Sequence, residues 1–116
     1  MASFNFSIAA IQSFCETAKK VTFSAPEITK YQDSMIAVYA SGLDEEVIKQ
    51  SIAFGQQVAD VVAKRLGKDN YKETRTMSKF SVYTNQPGRW QPTPPAYMDG
   101  VEPHWGTIRT LVMDSA

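Results

Sequence analysis

Apolar residues recur along the first half of the chain at helical intervals. Ile8, Ile11, Cys15, Ala18 and Thr22 are spaced three and four apart, which places them on one face of a helix running from about Ser7 to Val21. Phe14 and Val21 widen that face, and Asn5 or Ser7 offers an N-cap oxygen. Ser24-Ala25-Pro26-Glu27 opens a second helix: Ser24 and Glu27 have capping-box spacing, and proline is tolerated in a first turn. Ile28, Tyr31, Met35 and Val38 form its seam, with Tyr39 beside it, and Gly42 suits the left-handed position after its end.

Asp44-Glu45-Glu46 starts a third helix, with acidic charge at its positive end. It extends to about Leu66, with Gly67 as the stop, a length of roughly 33 Å. It carries two adjacent stripes, one of Val47, Ser51, Phe54, Val58 and Val61, the other of Ile48, Ile52, Gly55, Ala59, Val62 and Leu66. So wide a face predicts a central helix with more than one neighbour. Gly55 inside a helix costs roughly 1 kcal/mol against alanine, which a close helix crossing at Gly55 and Ala59 would offset.

Beyond the third helix the pattern fades. Asp69 to Thr74 reads as a short helical turn and Ser81-Val82-Tyr83 as a brief extended piece. Five of the six prolines lie from Pro87 onward, so the composition divides the chain into a helical segment, 1–84, and an ordered Pro/Trp-rich loop, 85–116, that packs on the helices or on a partner. The fold class is all-α: about three helices, one long and central, then an irregular tail, as in a fragment of a larger helical bundle.

The length, 116 residues, suits one small domain. Lys plus Arg is 12 and Asp plus Glu is 12, a balance that argues against nucleic acid and against a polybasic membrane surface as partners. No apolar run approaches the ~20 residues of a membrane span, and the first residues lack the pattern of a signal peptide. One cysteine, Cys15, excludes an internal disulfide, and one histidine, His104, excludes any site that needs two histidines from this chain.

Candidate chemistry is correspondingly thin. His104, between Pro103 and Trp105, reads either as a pocket-lining proton-transfer group or as a structural histidine bonded to backbone. Arg109 reads as an oxyanion ligand or as a loop pin, and Arg75 and Arg89 likewise. Cys15, on an apolar face, reads as a buried inert thiol. The acidic residues show no catalytic pairing and the glycines no phosphate loop. Trp90, Tyr97, His104, Trp105 and Arg109 remain as candidates for a pocket rim or interface, with no catalytic, cofactor-binding or metal-binding residue assigned.

The run Pro87-Gly88-Arg89-Trp90-Gln91-Pro92-Thr93-Pro94-Pro95-Ala96-Tyr97, followed by Glu102-Pro103-His104-Trp105-Gly106-Thr107-Ile108-Arg109-Thr110, resembles a segment of bacterial type-2 phosphatidic-acid-phosphatase-like (PAP2) proteins related to vanadium-dependent haloperoxidases. Ser51 to Asp60, Asp69 to Arg75 and, more weakly, Tyr31 to Met35 share the resemblance. It implies a largely α-helical parent several times longer. Such parents hold vanadate or a phosphoryl group with a lysine, two arginines and a histidine, and a further histidine acts as nucleophile or acid–base. Those groups lie in Lys-x6-Arg-Pro, Pro-Ser-Gly-His and Arg-x5-His motifs, none of which occurs here. No catalytic residue is therefore carried over, and vanadate or phosphate belongs to the full-length parent.

The resemblance implies the non-catalytic N-terminal part of a phosphatase- or haloperoxidase-like protein, whose partner is the remainder of that protein. It also implies relatives that are often exported or periplasmic. The alternative reading is a stand-alone helical interaction module that self-associates through its apolar surface.

Overall fold

A computed structural model describes residues 3–114. It contains four α-helices, α1 (Phe6–Val21), α2 (Ala25–Ala40), α3 (Glu45–Leu66) and the single turn α4 (Tyr71–Thr74), followed by a 3₁₀ turn at Trp105–Thr107. Among the described residues there is no strand. Ser81-Val82-Tyr83, expected to be extended, has no ladder partner and no regular structure. Contacts divide the chain after Leu66, at the end of α3, whereas the compositional change falls near residue 80.

The helix ends follow local chemistry. Asn5 is extended and its Oδ1 accepts from the Ile8 N–H at 3.0 Å, so Asn5, not Ser7, caps α1. Ser24 precedes α2, but its side chain makes no capping bond. Its ψ of 32° is not the extended conformation that folds a capping hydroxyl over the first turn, and its carbonyl alone accepts from the Ile28 N–H. Gly42 ends the α2 turn at φ +79°, where a Cβ would be strained.

In the first unit α1 lies between the other two helices and packs against both. The long helix α3, expected at the centre, therefore flanks it. The α1–α3 seam is a line of small residues, Ser51, Gly55 and Ala59, all buried. A Cβ on Gly55 would stand 2.5 Å from the Ala9 carbonyl oxygen and 2.7 Å from Gln12 Cβ, so the close crossing predicted at Gly55 and Ala59 is present. The Asn5 N–H also donates to Ser51 Oγ at 2.8 Å, which ties the start of α1 to α3.

Which side of each helix faces in differs from the apolar stripes. On α1, Ile8 and Cys15 are buried as predicted, together with Ala9 and Gln12, whereas Phe14 and Val21 point outward. On α2 the only buried residue is Gln32, and the predicted seam residues Tyr31, Val38 and Tyr39 are exposed. The reason is an amide network. Gln32 Nε2 donates to Gln12 Oε1 at 2.6 Å and to Glu16 Oε1 at 3.2 Å, and Gln12 Nε2 donates to Gln56 Oε1 on α3 at 3.2 Å. Each amide satisfies another, and no buried side-chain polar atom among the described residues lacks a partner. Lys19 closes the network by pairing with Glu16 at 2.8 Å, and this bond holds the Glu16 carboxyl below its ordinary pKa. Burial pushes the Cys15 thiol above its ordinary value, as expected of an inert structural cysteine.

Candidate functional site

The second unit owes its order to polar cross-links more than to burial. Its one buried side chain among the described residues is Thr74. Asp69 Oδ1 accepts from the Tyr71 N–H at 2.9 Å and starts α4. The carbonyl of Asp69 accepts from the Arg109 N–H at 2.8 Å, and Asn70 Nδ2 reaches the Thr107 carbonyl at 3.2 Å. The 3₁₀ turn is thereby pinned to the start of α4, although the two are more than 30 residues apart in sequence.

A second set of links lies further along. The Arg75 guanidinium donates to Glu102 Oε1 and, at 3.1 Å, to the Tyr71 hydroxyl. Tyr71 and the Glu102 carboxylate together raise the Arg75 pKa above its ordinary value. The other Glu102 oxygen accepts from the Trp105 indole N–H at 3.2 Å. His104 Nε2 donates to the Ser78 carbonyl at 2.7 Å.

These contacts frame an open groove of about 480 Å³, walled by Phe80, Trp90, Val101 and Pro103 and edged by Arg75, Glu102 and His104. Trp90 stands edge-on to Phe80, with ring centroids 6.4 Å apart. Of the sequence candidates, Trp90 and His104 line the groove, and Trp105 is joined to its edge through Glu102. Tyr97 and Arg109 are not among the lining residues. Tyr97 occupies a left-handed position, φ +48°, just after the cis Pro94–Pro95 bond. Arg109 contributes its backbone N–H to Asp69, and its side chain is exposed.

Two of the groove's polar groups are already engaged. Arg75 pairs with Glu102 and His104 holds a carbonyl, while Lys79 and Asp99 also line the groove; outside it, Arg89 lies over the Tyr83 ring at 5.6 Å. Among the described residues no group of three His, Cys, Asp or Glu side chains is placed to hold a metal ion. The groove and its edge present a half-open aromatic surface, with Trp90 48% and Trp105 56% exposed. The sequence reading underrated Glu102. Only the fold shows that it joins Arg75 to Trp105.

No protein-family model and no curated protein matches the chain. A solved structure does: a bacterial vanadium-dependent iodoperoxidase is 46% identical over 97% of this chain, with a TM-score of 0.78. The chain is similar to part of that iodoperoxidase. It spans 27% of the iodoperoxidase chain. The shared segment includes both the helical unit and the groove-bearing unit, since so little of this chain lies outside the match. No described helix of this chain is long and apolar enough to cross a membrane.

Proposed function

We propose that this chain is the non-catalytic N-terminal part of a vanadium-haloperoxidase-like protein and that it buttresses the catalytic portion. One observation carries the reading: nearly all of the chain matches barely more than a quarter of an iodoperoxidase, at an identity high enough for shared ancestry. The oxyanion-binding motifs that such parents are expected to use, Lys-x6-Arg-Pro, Pro-Ser-Gly-His and Arg-x5-His, do not occur in these 116 residues. The parent's reaction is then peroxide-driven oxidation of a halide, iodide in the first instance, with vanadate held by the remainder of the polypeptide. The phosphatase branch of the superfamily supplies the competing reaction, phosphoryl-ester hydrolysis.

The test compares the 116-residue chain with the longer protein encoded by its natural gene. The longer protein is expected to oxidise iodide with peroxide when vanadate is supplied, and the 116-residue chain is expected to be inactive. Vanadate-dependent iodide oxidation or vanadate-sensitive phosphatase turnover by the purified 116-residue chain would overturn the non-catalytic assignment.

A second reading, a self-associating helical module, draws on the large apolar side chains at the surface of the helical unit. It is favoured if the natural gene ends at Ala116 and the purified chain forms a stable dimer at low concentration.

A further inference from the structure

Helix α1 is apolar on the side that faces away from its own unit. Phe6, Ala10, Ser13, Phe14, Thr17 and Val21 form a strip along its length that carries no charged residue. Phe6 is 74%, Phe14 71% and Val21 63% exposed, so these three side chains present roughly 400 Å² of apolar surface. The opposite side of the helix holds the amides and the Glu16–Lys19 pair already satisfied within the unit. A helix whose inner face is packed and whose outer face is apolar belongs in the interior of a larger assembly.

We propose that this outer face of α1 seats a helix from the part of the haloperoxidase-like polypeptide that lies outside this chain, an inference that rests on the function proposed above. Three observations select that occupant. The first is spacing: Ala10, Phe14, Thr17 and Val21 are four, three and four apart, the seam that near-parallel helices share. Small residues there alternate with large ones, as knobs and holes require. The second is area. Phe6, Phe14 and Val21 alone supply about half of the ~800 Å² that one partner gives to a standard interface. The third is that the aligned iodoperoxidase carries this same segment attached to a polypeptide of which it is only 27%. A lipid surface fits less well, because a single lysine, Lys20, flanks the strip and the chain has no net charge.

The test is thiol accessibility along the strip, with the substitutions Phe14→Cys and, as the milder variant, Ala10→Cys. Each is labelled with a water-soluble maleimide in the 116-residue chain and in the longer protein from the natural gene. Buried Cys15 reports in both that the helical unit is folded. The introduced thiols are expected to react at least 100-fold more slowly in the longer protein, at any protein concentration, and rapidly in dilute 116-residue chain. Equal rates in the two proteins would overturn the proposal. So would protection in the 116-residue chain that strengthens with its concentration, which marks a second copy, or protection conferred only by anionic vesicles, which marks a membrane. A natural gene that encodes no further haloperoxidase-like sequence, or a longer protein without vanadate-dependent iodide oxidation, would instead sink the functional reading beneath it.

Discussion

Gly55→Ala sets two known effects against each other at a single methyl group. Helix propensity alone favours alanine by about 1 kcal/mol. Against this, the new Cβ would lie 2.5 Å from the Ala9 carbonyl oxygen and 2.7 Å from Gln12 Cβ. Carbon–oxygen contacts settle at about 3.3 Å or more, so α1 must retreat by roughly 0.8 Å. The Ala9 oxygen is backbone within α1 and has no rotamer by which to yield. A gap of that size forfeits about a quarter to a half of the dispersion along the seam. It also stretches the Asn5–Ser51 bond, now 2.8 Å, and the Gln12–Gln56 bond, now 3.2 Å. Overpacking of this kind costs about 1–3 kcal/mol, and the rigid neighbour favours the upper half of that range. The expected net effect is a loss of about 1–2 kcal/mol. It is read as a lower urea midpoint at unchanged slope, followed by circular dichroism at 222 nm. Each kcal/mol also lowers Tm by about 4–8 °C in a unit of this size. A variant stabilised by the full propensity gain would refute the close crossing.

Other outcomes follow from the same geometry. Asn5→Ala removes the α1 cap and should cost about 1 kcal/mol of unfolding free energy, whereas Ser24→Ala, which loses no side-chain bond, should cost far less. Native Cys15 should resist thiol reagents until urea unfolds the helical unit, and rapid labelling without urea would contradict its burial. Lys19 holds the Glu16 pKa below its ordinary value of 4.5. The pair's stabilisation is therefore fully present above that pH and is lost as pH falls through the lowered folded value. Glu16→Gln should flatten the pH dependence of Tm below pH 4.5, and an unchanged acid limb would count against the pairing. Glu102→Ala releases both Arg75 and the Trp105 indole, so tryptophan emission should shift to the red and acrylamide quenching should rise. Identical spectra and quenching would show that Glu102 does not order the groove.

The residues that stop and start helices act locally, and the sequence placed most of them, though it left Asn5 and Ser7 both open as the α1 cap and expected a Ser24 capping bond that does not form. Asn5 before α1, the Gly42 turn, the acidic start of α3 and its end before Gly67 each depend on a few neighbouring backbone groups. The close approach at Gly55 was legible for a similar reason: a glycine that weakens its own helix needs a compensating neighbour. The Pro/Trp-rich run carried its kinship in the order of its residues, and the iodoperoxidase match agrees with it.

The direction each helix faces is a property of pairs, and only the tertiary structure decided it. An apolar period marks a face that avoids water but does not say what covers it, and α1 is apolar on two sides. Gln12 and Gln32 read as surface residues one at a time. They go inside because each amide completes the other, which leaves Phe14, Val21 and Tyr31 outside. The groove was hidden for the same reason. Arg75 meets Glu102 and Ser78 meets His104 through hydrogen bonds across about 27 residues of sequence, a separation at which no local pattern survives.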